Sequence, residues 1–152
     1  MNISSSNCDN FKLTEGLKTQ IIKMDREHFP YPWTSSQWES LFNKDKNYIT
    51  LCTNDDLLTG FSLFEINPFE EMAHLYKICV DPAYRNQSIA KNMLNKSGED
   101  FNQLKLKSIF LEVAVSNNDA ISLYTGFGFN KLNIIKKFYS DGSDAVAMQK
   151  RL

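Results

Sequence analysis

The sequence predicts a mixed α/β sheet covered by helices, and three observations predict it. Residues 74–115 read as strand, helix, strand, which requires two parallel strands joined by a right-handed crossover. Residues 48–66 and 129–148 read as hairpins, which add antiparallel strands on either side. The chain has 152 residues, 42% hydrophobic and 23% charged, the length and balance of one ordinary folded domain, so residues 1–152 are expected to form a single domain.

Each element has its own signal. Phe11 and Leu13 alternate with polar neighbours as a short strand does, and Thr14 can cap a helix whose Leu17, Ile21 and Met24 fall at i, i+4 and i+7. The Phe29-Pro30-Tyr31-Pro32 break ends it. Ser36 with Glu39 three residues on makes a capping box for a second helix carrying Trp38, Leu41 and Phe42. Residues 48–53 and 57–66 are antiparallel strands around an Asn54-Asp55-Asp56 turn. Residues 74–80 form the next strand, stopped by Asp81-Pro82, and residues 88–104 carry Ile89, Met93, Leu94 and Phe101 at helical intervals. Residues 108–115 are an apolar strand with one acid in it, 117–127 are helical, and 129–138 with 145–148 close as a hairpin around Asp141-Gly142. The predicted order is β-α-α-β-β-β-α-β-α-β-β, without repeats or a linker.

Composition removes several function classes. Seventeen Lys+Arg against eighteen Asp+Glu leave a net charge of −1, so no global positive field exists to hold nucleic acid or an anionic membrane. No apolar run approaches the roughly 20 residues needed to span a bilayer, and the polar first ten residues lack a signal-peptide core, so a cytoplasmic location is the expectation. Cys8, Cys52 and Cys79 are odd in number and widely spaced, with only His28 and His74 to assist, so no metal site is expected.

Mixed sheets place ligand sites where strand carboxyl ends meet helix amino ends, here near 80–90 and 115–118. The turn Val80-Asp81-Pro82-Ala83-Tyr84-Arg85-Asn86-Gln87-Ser88-Ile89-Ala90 can offer unpaired amides to an anion such as a pyrophosphate, reinforced by Arg85 and Lys91; a plain capped helix is the alternative. Glu112 lies inside a strand with both faces covered. A carboxylate there must be paired or open into a wet cleft, so it is either a general base or the partner of a lysine at 105–107. Asn117 and Tyr124 are two helical turns apart on one stripe, about 10 Å along the axis, so Asn117 can hold a ligand chain while the Tyr124 phenol reaches its reactive end. Capping by Asn117 and core packing by Tyr124 is the alternative. Trp33, Trp38 and Tyr31, with Phe138 and Tyr139, could wall a peptide groove, although Trp38 reads better as core, and His74 reads as a strand residue.

These residues together resemble the GNAT superfamily of acetyl-CoA-dependent N-acetyltransferases, and within it the RimI-like enzymes that acetylate the N-terminal amine of a ribosomal protein. The resemblance runs from Phe29 through Pro32-Trp33-Thr34, the pyrophosphate-loop segment, Leu111-Glu112-Val113, Ser116-Asn117, Leu123-Tyr124 and Gly128-Phe129 to Phe138-Tyr139 and Asp144-Ala145. It implies a mostly antiparallel sheet of six to seven strands with a parallel pair at the cofactor cleft. It further implies that Ile78, Cys79 and Val80 bind the thioester arm, that amides of Asn86, Gln87, Ser88, Ile89, Ala90 and Lys91 bind the pyrophosphate beside Arg85, and that Asn117 contacts the arm. Glu112 is then the general base, Tyr124 the general acid, and Trp33 and Tyr139 contact the acceptor, a protein N-terminus. Direct transfer is expected over an acyl-cysteine route, because Cys79 has no identified activating base.

The sequence also departs from that pattern. Asn86 and Ser88 stand where the family loop has glycines, so a side chain at Ser88 either crowds the pyrophosphate or donates to it. Ala114 and Ile135 stand where RimI-like enzymes tend to carry arginines. A lysine or small-molecule amine as acceptor, or a cofactor-impaired fold used as a protein-binding module, are the alternatives.

Overall fold

A computed structural model describes residues 1–7 and 13–152. The elements are β1 (Asn2–Asn7), α1 (Glu15–His28), α2 (Ser35–Phe42), β2 (Asn47–Asn54), β3 (Leu57–Asn67), β4 (Met72–Val80), a 3-10 turn (Pro82–Tyr84), α3 (Ile89–Gln103), β5 (Ser108–Ala114), α4 (Asn118–Gly126), β6 (Asn130–Ile135) and β7 (Ala145–Arg151). One seven-stranded sheet runs β1-β2-β3-β4-β5-β7-β6. Its β4–β5 pair is parallel and the other pairs are antiparallel, the mixed sheet the sequence called for.

Two helix starts form for the expected physical reasons. The Thr14 hydroxyl accepts the Leu17 amide, and Leu17, Ile21 and Met24 turn the apolar stripe of α1 inward. The second helix starts earlier than Ser36: Thr34 is the cap, and Gln37 closes the capping box. The first strand also differs. Phe11 lies outside the described residues, and Leu13 is buried but not in a strand. The strand is the polar Asn2–Asn7, which lacks apolar alternation and is held by its ladder to β2 and by Ser5, whose hydroxyl joins that of Tyr48 on the Asp100 carboxylate of α3.

Apolar clusters cover both faces of the sheet. One places Phe64, Leu75, Ile109, Leu111 and Val113 beneath α3 and α4, with Leu94, Phe101 and Tyr124. The other places Ile49, Phe61 and Leu63 beneath α1 and α2, with Ile21, Met24 and Trp38. Phe61, Phe64 and Phe101 are fully buried, each contributing about 2–3 kcal/mol of hydrophobic stabilisation.

The parallel pair then opens. β4 and β5 pair only from Met72 with Ser108 to Leu75 with Leu111. Beyond that, β4 follows β3 to Val80 while β5 follows β7 to Ala114, so the facing edges of the two central strands are bare. A register shift on the β3 side, Phe64 opposite Leu75 but Leu63 opposite Lys77, marks a bulge at Tyr76. Bulges re-aim side chains. Leu75 therefore packs under α3, whereas Lys77 and Cys79 face α1. Among the described residues no helix is long and apolar enough to cross a membrane.

Candidate active site

The opening between β4 and β5 is the mouth of a cavity of about 1300 Å³. On its α3 side the chain leaves Val80 through Asp81, whose carboxylate accepts the Ala83 amide at 2.8 Å, and Arg85, whose Nε donates to the Val80 carbonyl at 3.2 Å. Asn86 and Ser88, the two residues standing in for glycines, are both left-handed, with φ of 62° and 60°. Asparagine tolerates that conformation better than serine. Ser88 occupies the N-cap of α3 without making a side-chain cap. Among the described residues, none of the backbone N–H groups from Asn86 to Lys91 has a protein acceptor; the first helical bond is from Asn92 to Ser88. Six amide donors without a protein acceptor thus follow one another at the positive end of a helix, a donor set that fits a pyrophosphate. The bare edge of β4 from Ile78 to Val80 leads from this loop into the opening, and its unpaired backbone groups suit an amide-bearing arm such as pantetheine.

Across the opening stand Asn117 and Tyr124. The Asn117 side chain caps α4 by accepting the Ala120 amide at 3.2 Å and also borders the cavity. Tyr124 is nearly buried, packs on Phe129, and lines the same cavity. Burial first, and Tyr139 second, push its phenol well above the ordinary tyrosine range, so it stays protonated at any physiological pH.

Glu112 alternates with Leu111 and Val113, which pack under α4, and so points to the opposite face of the sheet. Its Oε2 lies 2.6 Å from His74 Nε2, and it is this histidine, rather than a lysine at 105–107, that partners it. Glu112 and Tyr124 therefore approach one cavity from opposite faces, which is possible because the sheet is open between them. Burial and then the Glu112 charge raise the Tyr139 phenol.

The Glu112 side is roofed by two loops. Tyr31, after α1, stacks on Tyr139, after β6, at 6.3 Å and 15°. The second loop is fixed by Asp144, which accepts the Lys137 amide at 2.9 Å and pairs with Lys136 at 3.0 Å, while its carbonyl takes the Val115 amide at the end of β5. The first is fixed by Asp25, fully buried, which accepts the Trp33 amide and the Trp38 indole at 2.8 Å each and pairs with Lys77 at 2.5 Å. The Lys77 ammonium also lies 4.4 Å from the Phe29 ring centre and 4.6 Å from that of Trp33. Burial lowers its pKa and Asp25 partly restores it.

Most of the residues singled out from sequence meet here: Trp33, Ile78 to Val80, Arg85, Asn86, Ser88 to Lys91, Glu112, Asn117, Tyr124 and Tyr139 all line the cavity. Gln87 lies off its wall, and the Ile89 side chain is buried against Cys52 and Met93, so that residue offers its backbone. Sequence reasoning missed His74, Lys77 and Asp25 as site neighbours. Asp25 carried a usable signal, an acid on the buried stripe of α1 beside Ile21 and Met24, and Lys77 carried another, a lone cation in an apolar strand. Among the described residues no group of three His, Cys, Asp or Glu side chains can hold a metal.

The mixed sheet is thus opened at its parallel pair, with an amide-lined helix start on one face and an aromatic-roofed carboxylate on the other. The family model described as acetyltransferase (GNAT) family matches residues 18–129, and the chain belongs to that family. It is an N-acetyltransferase of the GNAT type, a family that uses acetyl-CoA. The chain is 30% identical over 122 residues to the [ribosomal protein bS18]-alanine N-acetyltransferase of Escherichia coli (strain K12), covering 78% of this chain and 80% of that protein. It is 36% identical over 95 residues to an N-alpha-acetyltransferase of Saccharolobus solfataricus, covering 61% of this chain and 57% of that protein. In fold it is similar to the crystal structure of the Escherichia coli ribosomal-protein-S18-alanine N-acetyltransferase, with a TM-score of 0.83 and 23% identity over 99% of this chain and 94% of that one. The NatC complex bound to Gag peptide and CoA gives a TM-score of 0.83 at 21% identity, covering 100% of this chain and 99% of that one.

Proposed function

We propose that residues 1–152 act as one domain that transfers the acetyl group of acetyl-CoA to a protein N-terminal amine, of the ribosomal-protein alanine type, by direct attack with both substrates bound. The observation that carries this reading is that Glu112 and Tyr124 wall one opening from opposite faces of the sheet. Two relatives whose names specify acetylation of a ribosomal-protein alanine or of an N-alpha amine support the acceptor class.

Acetyl-CoA supplies an acetyl group already activated as a thioester; the chain does the rest. Amides from Asn86 to Lys91 with Arg85 hold the pyrophosphate, and the bare edge at Ile78, Cys79 and Val80 with Asn117 aligns the arm and offers N–H donors to the acetyl carbonyl oxygen. On the far side Trp33 and Tyr139 hold the acceptor's first residues. Glu112 takes the proton that the ammonium must lose before its nitrogen can attack, and His74, hydrogen-bonded to Oε2, orients it. Tyr124, kept neutral by burial, returns a proton to the departing sulfur. The nitrogen gives up two protons, one as the ammonium is neutralised and one as the amide forms; one makes good the proton that Tyr124 gives to the sulfur and the other leaves Glu112 for solvent, so both side chains return to their starting states.

A panel of acceptors tests this. With acetyl-CoA, peptides beginning with alanine or serine are acetylated at the α-amine, as read by mass spectrometry, in preference to lysine side chains and polyamines. Transfer to a small amine alone would overturn the acceptor assignment.

A further inference from the structure

A second cavity of about 400 Å³ opens beside the acceptor face, and two of its walls, Trp33 and Tyr76, are also walls of the first. Their rings meet edge-on at 6.3 Å and form a sill between the two. Tyr76 senses both compartments: burial first, then Glu65 in the second cavity, and last Glu112 in the first raise its phenol to about 12. Ser36 and Ser40 line the second cavity from exposed positions on α2, and Lys44 and Lys46 add two cations. Lys46 is taken by Glu65 at 3.1 Å. Lys44 has no carboxylate within ion-pair distance among the described residues.

We infer that this second cavity receives the part of the acceptor peptide that follows its first residues, and that Lys44 favours an acidic side chain there. The inference rests on the peptide reading above and adds a preference within it. A chain leaving the reacting amine in extended form advances about 3.3 Å per residue, so a few residues carry it over the Trp33–Tyr76 sill, where aromatic surface accepts any sequence. An acidic side chain beyond the sill gains Lys44 without displacing Lys46 from Glu65. A basic one meets an unneutralised ammonium and a carboxylate that is already paired. Both lysines are exposed, so the preference is modest and screened by salt.

Short peptides sharing one N-terminal dipeptide, with Asp, Ala or Lys placed in turn at positions three to six, test this with wild type and Lys44→Glu. The expected result is a preference of about threefold in kcat/KM for Asp over Lys at one or two of these positions. It is carried by KM, fades near 0.5 M salt (about a 4 Å screening length), and inverts in Lys44→Glu, whose melting temperature matches wild type. Equal kcat/KM for the three side chains at every position, or a preference that survives Lys44→Glu, overturns the inference and leaves peptide acetylation standing. Failure of every peptide while small amines react overturns the peptide reading and this inference with it.

Discussion

In the mechanism we propose, Glu112 and Tyr124 divide the proton work, and their surroundings suit each to its half. Glu112 is hydrogen-bonded to His74 on the neighbouring strand, where it can accept a proton, whereas Tyr124 is held neutral by burial, where it can give one. Glu112→Gln is expected to lower kcat by about 10²-fold or more while acetyl-CoA affinity, measured by calorimetry, stays at the wild-type value. Unchanged kcat would return Glu112 to a structural role. Cys79 illustrates the contrary case. It lines the cavity, but burial pushes its thiol up to about 11, with Arg85 pulling weakly the other way. At pH 8 about one thiol in 10³ is ionised. Iodoacetamide labelling of Cys79 should therefore be slow at neutral pH and rise about tenfold per pH unit toward pH 11, and Cys79→Ala should retain kcat. Rapid labelling at pH 7, or an inactive but folded alanine variant, would reinstate an acyl-cysteine route.

At the scale of elements, the loop into α3 and the strands beside it carry the design. Ser88 is left-handed at the helix start, a conformation costing a side-chain-bearing residue about 1–2 kcal/mol. Glycine there removes that cost and adds about 0.5–1 kcal/mol of unfolded-state entropy. Ser88→Gly is thus expected to raise the melting temperature by about 1–3 °C, read by calorimetry; a fall would show that the hydroxyl or Cβ stabilises the loop. Gly60 permits the close approach of α3, because a Cβ there would meet the Cys79 carbonyl at 3.0 Å and Ile89 and Met93 at 3.2 Å. Periodicity made most elements legible, down to the Thr14 cap and the stripe of α3. It failed at β1, since a strand whose one apolar residue is Ile3 is specified by its ladder and by Asp100, not by its own pattern. It placed His74 on a strand, as found, but not beside Glu112, because which strand residues face each other depends on register, and register between strands separated by a crossover helix leaves no local trace.

For the whole molecule, the opening of the sheet is what turns a covered core into a passage. A closed β4–β5 pair would bury Glu112 and Tyr124 on separate faces, out of contact, whatever their chemistry. The opening follows from each central strand being claimed by its outer neighbour, β4 by β3 and β5 by β7, past Leu75 and Leu111. The family resemblance supplied the cleft and the paired roles. Tyr31 and Tyr139 were legible in the sequence as groove-walling aromatics, but their stacking as a roof and the buried Asp25–Lys77 pair beneath it depend on tertiary packing that no local pattern records. Neutral and charged parts of that roof have different costs: the pair is covered by Phe29 and Trp33, and removing one partner would strand a buried charge at about 3–5 kcal/mol.

Initial-rate kinetics with acetyl-CoA and an alanine-initiated peptide varied together test most directly whether two substrates meet in that passage. Intersecting reciprocal plots are predicted, because the amine attacks while the thioester is still bound. Parallel lines, the mark of an acetylated enzyme that releases CoA before the acceptor arrives, would contradict it.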